Sequence, residues 1–175
     1  MRTPHNWQTG VRHILQRAAA YLLDMAILFL VLAPVGGLIQ WAFIDVAPQT
    51  GPEIWRTLLW NFSVPAWLYF ILSDSSAHGA TVGKRLLRLK VIDADHQEIS
   101  LPRALLRTAV KLLPWELVHL SAFALSVDMN ELTSLQMAGL VGANLLVAAY
   151  GGMLVMTRGR RSVHDLAAQT QVVQA

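Results

Sequence analysis

The chain has 175 residues, 54% of them hydrophobic and only 14% charged, with a formal net charge of +3. That balance fits a small integral membrane protein better than a soluble domain. Cysteine is absent, which excludes structural disulfides, thiolate metal sites and lipoprotein processing. The basic surplus does not imply nucleic acid, because the positions of the charges account for it as a membrane-sidedness signal.

Residues 1–16 form a polar N-terminal segment carrying Arg2, His5, Arg12 and His13. No further ligands cluster around these histidines, so neither a metal nor another cofactor is expected. The first predicted span covers about 18–42. A membrane helix needs roughly 20 apolar residues at about 1.5 Å each. Asp24 interrupts this one, and twenty uncharged residues follow it before Asp45. An acid at a span centre costs about 2.5–3.5 kcal/mol, and less near an end. Eleven Leu, Ile, Val and Phe residues between 18 and 39 offset it by roughly 3–6 kcal/mol. The segment therefore inserts, and Asp24 lies about 9 Å below Ala18. An acid inside so long an apolar stretch argues for an uncleaved anchor rather than a signal peptide.

Arg17, Tyr21 and Asp24 share one helix face. Arg17 is about 10 Å from Asp24 along the axis and leans the other way. Asp24 thus needs a partner from another helix, a proton or a bound cation. Two readings stand: a static buried bond that fixes packing, or a proton or ion site.

A loop at 45–55 precedes the second predicted span, about 54–73, where Pro65 predicts a bend. Residues 74–100 are polar. From Leu87 to Val91 apolar and basic residues alternate, which is strand periodicity. Asp93 to His96 reads as a turn, and Ile99 and Leu101 follow. The segment is a small cytoplasmic β-hairpin or an amphipathic interfacial helix. Either one presents basic side chains to anionic lipid head groups. Gly79 to Lys84 is not a phosphate loop: its glycines are one residue too close, and Arg85 stands where Ser or Thr would hold magnesium.

Arg103, Arg107 and Lys111 make a basic helical stripe, and Pro114 predicts a break or kink after it. The third predicted span, about 110–127, is the weakest, because it contains Glu116 and His119. The fourth, about 133–156, has small residues such as Gly139, Gly142 and Ala143 at spacings that allow close helix approach. Trp7, Trp41, Trp55, Trp60 and Trp115 fall near span ends, as interfacial belts require. The expected architecture is an all-α protein with four transmembrane helices in residues 17–157 and a cytoplasmic tail at 158–175. With four spans, every basic residue except Arg56 lies on one side. The opposite loops hold Asp45, Glu53, Asp128 and Glu131. Both termini are then cytoplasmic, and the setting is a multi-pass cell membrane, of the bacterial inner-membrane kind.

Three blocks resemble the RDD family of membrane proteins. They are Arg17-x-x-Ala20-Tyr21-x-x-Asp24; Gly79-x-Thr81-x-Gly83-Lys84-Arg85-Leu86 with its continuation through Val91-Ile92-Asp93 to Arg107; and Arg161-x-x-His164-Asp165-x-x-Ala168-x-Thr170. The resemblance covers about 12–173. It implies that the family's naming Arg and two Asp correspond by position to Arg17, Asp24 and Asp165. It also implies a membrane fold, with transport of small solutes or ions as a suggested role. Val82 stands where the family commonly has Pro, and Gln169 where it commonly has Gly.

Two expectations follow. Arg17 and Asp165 form a charge-assisted latch between the tail and the first span. Asp24, Glu116 and His119 lie at similar depth and form a proton or cation site, unless Arg107 or Lys111 neutralises Asp24 as a static counter-charge. The first functional reading is a transporter of a small cation or proton-coupled solute; four helices are few for alternating access, so it implies a homo-oligomer. The second is a scaffold or accessory subunit of a larger membrane complex. A lipid-binding or lipid-modifying role is a weaker third. No enzyme is expected, because His164 beside Asp165 makes no relay without a placed nucleophile.

Overall fold

The computed structural model describes residues 7–43, 47–125 and 131–175. Arg2, His5, Asp45, Asp128 and the end of the third predicted span lie outside them. The described chain is mostly helical. It runs through α1 (Trp7–Phe43), α2 (Gly51–Leu58), a π-helical segment (Leu59–Ser63), α3 (Val64–Asp74), α4 (Val82–Leu86), β1 (Leu89–Asp93) and α5 (Leu101–His119). A second π-helical segment (Leu120–Ala124), α6 (Ser134–Met156), α7 (Val163–Ala167) and β2 (Thr170–Gln174) complete it.

Two of the described helices are long and apolar enough to cross a membrane, Gln8–Phe43 and Ser134–Met156. Only 11% and 6% of their most apolar windows are buried, whereas the core helix of a soluble protein would be mostly covered. Leu30, Trp41 and Met156 are among the bulky side chains left open. Exposed apolar surface on that scale suggests a bilayer around the chain.

Pro34 and Pro114 are carried inside α1 and α5 without ending them, so Pro114 does not break its helix. The departures from α geometry are the two π segments. One of them comes just before Pro65, where a bend was expected.

The chain divides into two compact units. The first comprises Met1–Ala26, Tyr69–Lys111 and Ala148–Ala175. Its sheet corrects the expected hairpin. β1 forms where the alternation predicted a strand, and Asp93 turns the chain by accepting from the Asp95 and Gln97 N–H groups at 2.9 Å. The partner strand, however, is the tail. β1 and β2 pair antiparallel, with Val91 opposite Val172 and Asp93 opposite Thr170. Leu101 instead starts α5. Leu89, Val91 and Val172 are buried on one face while Lys90 is exposed, which sets the register. Each outer edge is also bonded: Val91 N–H donates to the Gly79 carbonyl at 2.7 Å and Val172 N–H to that of Arg160 at 3.2 Å. Gly79 has φ +57°, and a Cβ there would lie 2.7 Å from the Val91 carbonyl oxygen.

The second unit comprises Ile27–Leu68 and Leu112–Val147. It carries an aromatic cluster, with Phe29, Phe62 and Trp115 rings 4.7 and 5.6 Å apart in sequence. Gly139 lets α6 close on Ser121, whose Oγ would overlap any Cβ at that position.

Candidate charged site

The site lies in the first unit and begins with Asp24 on α1. Its carboxylate is 1% exposed. Oδ1 accepts from the Tyr69 hydroxyl at 2.6 Å and the Gly83 N–H at 2.8 Å, and Oδ2 from the Thr81 hydroxyl at 2.6 Å. Thr81 is the N-cap of α4, and its Oγ also accepts from the Lys84 N–H at 3.3 Å. Gly83 is required by the close approach: a Cβ would overlap the Ala20 carbonyl oxygen and stand 2.9 Å from Asp24 Oδ1. Val82 occupies the first helical position, which suits proline; here its N–H donates to the Tyr69 oxygen at 3.0 Å. Asp24 is thus held by three neutral donors. Among the described residues no cation pairs with it.

The second part is a chain of alternating charges. Arg17 Nη2 donates to Asp165 Oδ2 at 2.6 Å. Arg107 donates to Asp165 Oδ1 from Nη2 at 2.8 Å and from Nε at 3.1 Å. Its Nη1 reaches Asp74, and the other oxygen of Asp74 takes the ammonium of Lys84. Asp74, Asp165 and Arg107 are almost wholly buried, and Lys84 nearly so. Arg17 Nη1 also donates to the carbonyls of Gly159 and Arg160, at 3.0 and 2.9 Å. Asp165 closes a capping box as well, accepting the Ser162 N–H at 2.8 Å. Burial alone would raise its pKa, but Arg107, Arg17 and that N–H hold it well below the usual carboxylate range.

His164 stands beside this knot, with Nε2 at 3.5 Å from Asp165 Oδ2 and its ring edge-on to Tyr150. Burial, reinforced by the neighbouring cations, pushes its pKa well below 6.5 despite Asp165. The imidazole is therefore neutral at pH 7.

Asp24 belongs to the first unit, whereas Glu116 and His119 belong to the second. There Glu116 accepts from Ser63 Oγ and Trp67 Nε1, both at 3.1 Å, and His119 packs on Trp115. Among the described residues, neither Arg107 nor Lys111 makes a close ion pair with Asp24. Arg107 serves Asp74 and Asp165, and Lys111 Nζ lies 3.3 Å from the centre of the Phe70 ring, a cation–π contact. Arg17 and Asp165 do face each other, but as one link of a longer relay.

Asp74 and Tyr69 carry no expectation from the sequence. Asp74 had a signal: it ends an apolar run, and a basic helical stripe needs acids opposite. Lys84 reads from sequence as facing lipid, since nothing local marks it as buried. Among the described residues, no group of three or more His, Asp or Glu could hold a metal ion.

Neither a curated protein nor a solved structure matches the chain. The RDD family profile matches residues 11–169. That span holds Arg17, Asp24, Asp74, Thr81, Gly83, Arg107 and Asp165, and the chain belongs to the RDD family.

Proposed function

We propose that this RDD protein is a four-span membrane protein with both termini cytoplasmic, acting without catalysis as a scaffold or accessory subunit of a larger membrane complex. One observation carries the reading. The acids of the relay, Asp74 and Asp165, are already answered by fixed Arg and Lys side chains. A network so satisfied fastens elements together rather than exchanging a mobile ion. The helical runs at 51–74 and 101–124 supply the second and third spans, beside α1 and α6. Sidedness follows from the basic residues, of which only Arg56 falls on the outer side, at the outer end of the second span.

The partner-facing surface of this reading is on α6. Gly142 is a poor probe of it, since Leu117 lies 3.6 Å from its Cβ position, whereas Gly151 and Gly152 have nothing within 4 Å. Co-purification of a second membrane protein in mild detergent, lost in Gly152→Leu, is the supporting result. Recovery of the chain alone counts against it.

A second reading, transport of a proton or small cation, is favoured by Asp24. It is a buried acid with three neutral donors and no paired cation among the described residues. Proteoliposome flux over several cations at two pH values separates the two. Flux that disappears in a folded Asp24→Asn protein replaces the scaffold reading; flux equal to empty vesicles removes the transport reading.

A further inference from the structure

We propose that the N-terminal part of α1 and the tail around β2 form a binding site for one anionic phospholipid, with phosphate and acyl chain in two adjoining compartments. The first compartment is a cavity of about 480 Å³ whose lining includes Arg12, His13, Arg158, Arg160 and Val172, with no acidic residue among the described ones. The second is an open groove of about 640 Å³ on the next face of α1, lined by Val11, Leu15, Ala19 and Leu87. Arg12 and Gln16 line both. The positions explain the division: 8, 11, 15 and 19 share one helix face, and 9, 13 and 16 the neighbouring one.

The basic wall is anchored. Arg17 holds the carbonyls of Gly159 and Arg160, and His13 Nε2 donates to the Val172 carbonyl at 3.1 Å. A Cβ on Gly10 would stand 3.1 Å from Arg158 Cβ, so α1 and the tail touch closely here. Guanidinium groups suit phosphate oxygens. Free phosphate would occupy only the basic compartment. It leaves unexplained the neighbouring groove, where Leu15 is 63% and Val11 49% exposed. A diacyl phosphate ester covers both.

The inference rests on the membrane reading, and the two can fail separately. Protein recovered in the aqueous fraction without detergent removes the membrane reading. Detergent-extracted protein with no lipid preference removes this site alone. The experiment is native mass spectrometry of the full chain from maltoside micelles doped with phosphatidylglycerol, phosphatidylcholine of the same chains, or glycerol phosphate. Retention of one phosphatidylglycerol per chain is expected, with neither other probe displacing it. Arg12→Gln with Arg160→Gln should weaken retention by about 25-fold, at about fivefold for each arginine near an anionic lipid. Leu15→Gln should weaken it too. Equal retention of phosphatidylcholine, displacement by glycerol phosphate, or an unchanged double variant overturns the proposal.

Discussion

The two units solve the problem of buried polarity in opposite ways. The first concentrates charge: Arg17, Asp165, Arg107, Asp74 and Lys84 form one relay, with Asp24 held separately by neutral donors. The second carries the cluster of Phe29, Phe62 and Trp115, and among the described residues its Glu116 takes only a serine hydroxyl and an indole N–H. A relay carries high stakes, because removing one member strands its neighbours. An aromatic cluster with a lone hydrogen-bonded acid loses little when that acid is neutralised.

The largest expected effect is therefore Arg107→Ala, which leaves Asp74 and Asp165 each short of a cation. Breaking a buried pair costs about 3–5 kcal/mol. Glu116→Gln should cost only about 0.5–1.5 kcal/mol, the scale of one ordinary hydrogen bond. Denaturation of both variants in the same detergent measures the contrast. Equal losses would erase the distinction between the units.

Next is Gly83→Ala. Its Cβ collides with the Ala20 carbonyl oxygen, which is backbone and cannot swing aside. Overpacking of this kind costs about 1–3 kcal/mol. Gly151→Ala, with open space around it, should be neutral or slightly stabilising. The ranking is read from thermal unfolding followed by tryptophan fluorescence.

One source of pH dependence lies in the first unit, at His164 and Asp165. The folded pKa of His164 is depressed, so its contribution is fully present above the unfolded value of about 6.5 and is lost as pH falls below it. The loss approaches about 1.4 kcal/mol per pH unit for one proton. Asp165 acts lower: its contribution is present above about 3.9 and is lost as pH falls through its depressed folded value. His164→Gln should flatten the stability curve between about pH 6.5 and 5; an unchanged slope would assign that window to another group.

The smallest effect is a gain. Gln169 stands where the family commonly has Gly, and it holds φ +55°. A non-glycine residue there costs about 1–2 kcal/mol, so Gln169→Gly should stabilise by about 0.5–1 kcal/mol after the entropy that glycine adds to the unfolded chain. A destabilised variant would show that the side chain matters more than the turn.

What could be read in advance follows from how local each signal is. The long apolar runs of α1 and α6 and the alternation at Leu89–Asp93 are written in adjacent residues, so those elements were legible. The partner of β1 was not, because strand pairing between residues 89 and 174 has no local trace beyond two apolar residues near the chain end. Asp165 was found beside Arg17 because the blocks carrying them were recognised together. From sequence Arg107 belongs only to a basic helical stripe and to the candidate counter-charges, since such a stripe looks the same whether lipid or buried acids lie opposite. Asp24 and Glu116 were grouped by depth alone, and depth does not decide which helices supply the donors.

The central claim is that the charged residues of this fold act as a mechanical knot, and its most direct test is a double-mutant cycle on Arg17→Gln and Asp165→Asn. With the pair at 2.6 Å and nearly buried, the account predicts a coupling of about 1–3 kcal/mol in detergent unfolding. Losses that add to within about 0.3–0.5 kcal/mol would contradict it.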